Sequence, residues 1–97
     1  MKHFLVEITY TVPLEKIDEA VGGHRNFLQT GYDKGMLLCS GPLEPRTGGI
    51  VIARAASLEE VKQFFQQDPF QVQSLATYRF VEFHPVKSQP FLKDWIG

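Results

Sequence analysis

Residues 3–12, HFLVEITYTV, alternate with period two: Phe4, Val6, Ile8 and Tyr10 fall on one face, and His3, Leu5, Glu7 and Thr9 on the other. Their β-branched and aromatic content predicts a strand with one fully apolar face. From Pro13 to Gly35 the period changes. The apolar positions Leu14, Ile17, Val21, Leu28 and Tyr32 are spaced for one face of a helix, and the middle turn of that stripe is occupied by His24. Pro13 suits the first helical position, where no amide hydrogen is needed, and Glu15, Asp18 and Glu19 put negative charge near the positive end of the helix dipole. The helix is expected to run to about Lys34, with Gly35 as its stop. Gly22 and Gly23 stand just before His24, each costing about 1 kcal/mol relative to alanine in a helix, which suggests that something beside the imidazole needs room.

Met36–Leu43 reads as a second strand ending at Gly41-Pro42, Glu44–Gly49 as a turn, and Gly49–Ala55 as a third strand, so residues 36–55 form a hairpin. Ser57-Leu58-Glu59-Glu60 is a capping box that starts a second helix. The stripe of that helix is Leu58, Val61, Phe64 and Phe65, and the next step at helical spacing is Asp68, followed by Pro69. Asp68-Pro69 ends the helix and caps a short further turn through Phe70–Leu75. Thr77–Val86 is the fourth strand, with Tyr78, Phe80, Glu82 and His84 opposed to Arg79, Val81 and Phe83. The tail, Lys87–Gly97, carries Phe91, Trp95 and Ile96 and is expected to pack on its own domain or on a partner chain.

The order βαββαβ predicts an α+β, ferredoxin-like fold: a four-stranded antiparallel sheet with two helices on one face. The other face carries Leu5 beside Glu7 and Thr9, too apolar for open water, so a homodimer built on it is the default assembly. At 97 residues the chain has room for one domain, residues 1–97. Its 43% hydrophobic and 22% charged residues are ordinary globular usage. The absence of a long apolar run or leader-like segment argues against a membrane partner and, with one cysteine, points to the cytoplasm or another reducing compartment. Cys39 lies in an apolar run and is expected to be a buried small hydrophobe. A net charge of −1 with scattered Lys and Arg gives no basic stripe for nucleic acid, and the third strand lacks the aromatic residues on which an RNA-binding sheet stacks bases.

His24 and Asp68 are the candidates for chemistry, because each is a polar residue in an otherwise apolar helical stripe and both helices pack on one side of the sheet. A carboxylate beside an imidazole fixes its tautomer, the minimal apparatus for moving a proton. Buried structural roles compete with this: a satisfied histidine at 24, and a helix cap at Asp68. His84 reads as a surface residue and His3 as structural or exposed. No metal is expected, since His3, His24, His84 and Cys39 lack ligand spacing, and no cofactor loop or nucleophile elbow is present around Gly41, Gly48-Gly49, Cys39 or Ser40.

His24 in the first helix, Gly-x-Leu-Leu-x-x-Gly-Pro over Gly35–Pro42, Gly48-Gly49-Ile50 at the third strand and Asp68-Pro69-Phe70 after the second helix together resemble the YciI-like family, in the dimeric α+β barrel superfamily. The resemblance spans residues 1 to about 90. It implies a ferredoxin-like dimer with a cleft in which His24 and Asp68 are the catalytic pair and Gly41, Pro42 and Phe70 line the substrate site. Family members with an assigned activity look like dehydrohalogenases or lyases on hydroxylated aromatic rings. Muconolactone isomerases are similar in architecture and in the opening strand followed by Val12-Pro13. The expected function is cofactor-free acid–base catalysis, of lyase, dehydrohalogenase or isomerase type, on a small aromatic or carbonyl compound. The alternatives are a small-ligand-binding or accessory module without turnover, and a purely structural subunit.

Overall fold

In the computed structural model, which describes residues 1–97, β1 (Lys2–Tyr10) pairs with β3 (Gly48–Ala55) on one side and β4 (Ala76–Phe83) on the other. β2 (Leu37–Pro42) forms the edge beyond β3, so the antiparallel sheet has the order β2-β3-β1-β4. α1 (Leu14–Asp33), α2 (Leu58–Phe65) and the single turn α3 (Pro69–Val72) complete the ferredoxin-like fold, and the chain ends in a 3₁₀ turn, Pro90–Leu92, and α4 (Lys93–Ile96). The core joins Phe4, Val6, Ile8, Val51 and Ala53 of the sheet to Ile17, Leu28, Val61, Phe65 and Phe70 of the helical layer. Each large apolar side chain buried there contributes on the order of 1.5–3 kcal/mol.

Several local expectations shift. Both outer strands and β1 are shorter than their apolar patterns: β1 stops at Tyr10 and β4 at Phe83. Pro13 is extended, with ψ 153°, and occupies the cap position rather than the first turn of α1. The buried face of α1 is Ile17, Ala20, His24, Leu28 and Gly31, with Val21 and Tyr32 partly buried against the core, while Leu14 is exposed and the small residues Ala20 and Gly31 join the contact instead. The helix ends as expected: Gly35 takes φ +72°, and the amides of Gly35 and Met36 bond back to the carbonyls of Tyr32 and Gly31.

Cys39 is exposed, contrary to the expectation of a buried thiol. The cause is a bulge between Leu37 and Cys39. Leu37 lies opposite Ala53 on the helical side, but Cys39 lies opposite Ile52 and Ser40 opposite Val51. One extra residue reverses the alternation, so Cys39 turns to the open face and Ser40 to the helical side.

The tail packs on its own domain through Trp95. The indole NH donates to the carbonyl of Gly35 (3.2 Å), the ring lies 5.1 Å from the Arg54 guanidinium, and Arg54 Nη1 donates to the Trp95 carbonyl (2.7 Å). Beneath it His3 is buried, 5.5 Å ring to ring from Trp95, with Nε2 unpartnered. Phe91 stays exposed.

The room suggested by Gly22-Gly23 is needed about two turns further on, at Gly31. A side chain at Gly22 would meet nothing, and one at Gly23 would make ordinary contact with Pro69, at 3.4 Å. A Cβ at Gly31 would lie 2.7 Å from Phe64 and 2.8 Å from Leu37. Gly31→Ala should therefore lower the thermal midpoint, because crowding of about 1–3 kcal/mol exceeds the helix gain of about 1 kcal/mol, whereas Gly22→Ala should raise it. A Gly31→Ala chain that melts at or above the parent contradicts this packing.

Burial, reinforced by the positive N-terminus and Arg54 and only partly opposed by the carbonyls of Ile96 and Trp95, lowers the His3 pKa below its ordinary 6.5. The unfolded chain then takes up the proton first, so stability falls as the pH drops below about 6.5 and levels off once folded His3 also protonates. Thermal melts across that range should show the decline in the parent and a flatter profile in Trp95→Ala, which uncovers His3. Equal slopes in the two chains would rule out the tail as the cause.

Candidate active site

Asp68 follows α2 where the chain must turn, and Pro69 behind it favours the extended conformation that Asp68 adopts, with ψ 128°. In that conformation its carboxylate folds over the start of α3: Oδ1 accepts the amide of Phe70 at 3.1 Å. α3 ends after one turn, with Ser74 in the left-handed region at φ 57° and the Leu75 amide bonded to the Phe70 carbonyl at 2.8 Å. This closed turn delivers the chain directly into β4. Tyr78, two residues into that strand, points to the helical side opposite Ile8, and its hydroxyl donates to Asp68 Oδ2 at 2.6 Å.

The third donor comes from α1. His24 Nδ1 lies 2.8 Å from Asp68 Oδ1, and the imidazole stacks on the Phe70 ring, 4.0 Å between centroids and 8° from parallel. A carboxylate only accepts, so in the neutral imidazole the proton sits on Nδ1 and the lone pair on Nε2. Nε2 has no protein partner, yet it is not sealed in, since the one buried unpartnered side-chain nitrogen is that of His3. Burial, then the hydrogen bond to Asp68 and the charge of that carboxylate, raise the Tyr78 pKa well above its ordinary value, so the phenol remains a donor.

His24, Gly41, Pro42 and Phe70 line one cleft of about 210 Å³, between α1 and the β2–β3 hairpin. The β2 bulge contributes to its wall by turning Ser40 and Pro42 to this side, and Tyr32 holds Ser40 through a 2.6 Å hydroxyl contact. Asp68 is fully buried behind His24 and Phe70 and does not line the cleft. It can act only through His24, as a positioning group. His84 is exposed beyond β4, His3 lies under the tail, and no three His, Cys, Asp or Glu side chains come together.

Three lining or supporting groups were not apparent from the sequence: Tyr78, Arg25 and Arg46. Tyr78 had a signal, because a phenol on the core face of a strand requires a buried acceptor, and Asp68 is the polar group on the same side. Arg25 follows His24 directly and could have been placed at the cleft once His24 was. Arg46 comes from the hairpin turn and reaches back to Asp18 at 2.6 Å, a pairing of distant residues that no spacing rule anticipates.

The family model described as the YCII-related domain matches residues 1–84. No curated protein matches the chain. Among solved structures, the 5-chloro-2-hydroxyhydroquinone dehydrochlorinase of Burkholderia phenoliruptrix AC1100, in complex with 2,5-dihydroxybenzoquinone, is similar in fold, with a TM-score of 0.69 and 22% identity over 84% of this chain and 90% of that one.

Proposed function

The chain belongs to the family of YCII-related domains, and we propose that it is an acid–base enzyme of the lyase or isomerase type acting on a small aromatic or carbonyl compound. The observation that carries this reading is the 2.8 Å contact of His24 Nδ1 with Asp68, which leaves Nε2 as the free basic atom of a cleft-lining imidazole. In the reaction, Nε2 takes a proton from a hydroxyl or acidic carbon of the bound compound. The electron pair left behind forms a new double bond. In an elimination, a leaving group such as chloride departs with its bonding pair; in an isomerisation, the imidazolium returns the proton to another carbon. Asp68 holds the ring in one orientation and faces the imidazolium that forms, as the carboxylate of a catalytic triad does. The cleft suits a single ring, since apolar cavities of about 150 Å³ accommodate benzene, and its volume is about 210 Å³. The similar dehydrochlorinase acts on a hydroxylated, chlorinated ring, which makes that class of compound the first to test.

The same reading includes a homodimer. Cys39, Ile52, Leu5 and Val81 face one another across all four strands on the side of the sheet away from the helices, an unbroken apolar row. In a single copy Cys39 is exposed, Ile52, Leu5 and Val81 are only half-buried, and Phe83 beside the row is 39% exposed. A second copy seated face to face buries this row in both chains at once.

With 5-chloro-2-hydroxyhydroquinone as the probe, chloride release should accompany the parent chain and fall by about 10²-fold or more in His24→Gln and in Asp68→Asn, the latter because the amide favours the wrong tautomer. Solvent deuterium uptake into small hydroxylated rings and carbonyl compounds provides the same readout for substrates without a halide. Turnover that survives His24→Gln in a folded chain would defeat the proposal. For the assembly, light scattering should give the mass of two 11.0 kDa chains, and Val81→Arg should halve it. A parent that remains monomeric at high concentration rejects the dimer.

A further inference from the structure

Resting on the acid–base reading of His24, we propose that the compound bound in this cleft is an anion, a single small ring carrying an anionic oxygen, and that Arg25 is the residue that recognises it. The charged side chains of the cleft are Arg25 and Arg46, and no Asp or Glu lines it. Arg46 is already neutralised by Asp18 at 2.6 Å, a contact that holds its guanidinium firmly cationic. Arg25 takes part in none of the ion pairs of the chain. Nor can its own helix supply a partner: the residues three and four positions away are Gly22, Val21, Leu28 and Gln29. Asp68, the carboxylate bonded to His24, is fully buried, and its two oxygens are occupied by His24, Phe70 and Tyr78.

The cleft that His24 lines therefore also holds one uncompensated cation, with a wall of Ile8, Val21, Leu28, Pro42 and Phe70. Apolar walls lower the local dielectric, so a guanidinium there attracts an oxyanion more strongly than one on an open surface. The placement also serves the chemistry. Loss of a proton to His24 leaves negative charge on the substrate oxygen, and a cation lining the same cleft offsets that charge.

Binding of three probes by titration calorimetry or NMR tests this without requiring turnover: benzoate, 4-nitrophenolate above its ionisation, and neutral benzamide of the same size. At least one anion should bind about tenfold more tightly than benzamide, the worth of one charge-assisted hydrogen bond, and its affinity should fall with added salt. Which anion prevails identifies a carboxylate or a phenolate as the recognised group. Arg25→Gln, a change at an exposed helix position, should reduce the anion to the affinity of benzamide and leave benzamide unchanged. Equal binding of all three probes, or an Arg25→Gln chain that holds the anion as tightly as the parent, overturns the proposal. Anion binding through Arg25 by a chain that turns over nothing overturns the acid–base reading alone. Turnover indifferent to both substrate charge and Arg25→Gln overturns the anion site alone.

Discussion

A fully buried carboxylate is the constraint to which the rest of the structure answers. Asp68 is removed from water, and a carboxylate in that position costs several kcal/mol unless donors replace its solvation. Three elements provide them: α1 through His24, the start of α3 through the Phe70 amide, and β4 through Tyr78. Each donor constrains its own element. α1 must present position 24 inward, α3 must close as a single turn, and β4 must enter the sheet with Tyr78 on the helical side. The polar network and the apolar core thus specify the same arrangement of helices on sheet, and a shift in any one element would leave a buried charge short of a partner.

Close approach of the helical layer makes the network possible. Gly31 lets α1 settle against Phe64 and Leu37, and Gly23 brings it into contact with Pro69, the residue after the carboxylate. The stack of Phe70 on His24 then holds the imidazole plane from one side while Asp68 holds its edge. The imidazole is left with one free atom, Nε2, whose direction is decided by the other contacts. Around it the charges are ordered: the carboxylate behind the ring, and Arg25 and Arg46 in the lining of the cleft.

Much of the fold could be read from periodicity, because the period-two and helical stripes are long and their ends carry specific signals. The capping serine is seen in the bond from the Glu60 amide to Ser57 Oγ at 3.2 Å, and the helix stop in the left-handed Gly35. Periodicity also singled out His24 and Asp68, since a polar residue inside an apolar stripe is a visible exception. The elements lost to it are those that depend on a partner far along the chain. Tyr78 has the pattern of any strand aromatic, and only its acceptor, ten residues back, sets it apart. Arg46 meets Asp18 across 28 residues. The buried face of α1 departs from its apolar stripe at the exposed Leu14, and its tightest contact belongs to Gly31, a residue that carries no periodic signal.

The bulge in β2 escaped the pattern altogether, yet it shapes both the cleft wall and the open face of the sheet. Strict alternation from Leu37 would place Cys39 in the helical layer and Ser40 on the open sheet face. The extra residue reverses both. Ser40 and Pro42 become part of the cleft wall, with Ser40 anchored to Tyr32, and Cys39 joins Ile52, Leu5 and Val81 on the opposite side. One backbone irregularity therefore sets the polarity of the cleft and the apolar character of the open face together. Neither surface can be re-registered alone, because a strand that slips by one residue exchanges every side chain between its faces.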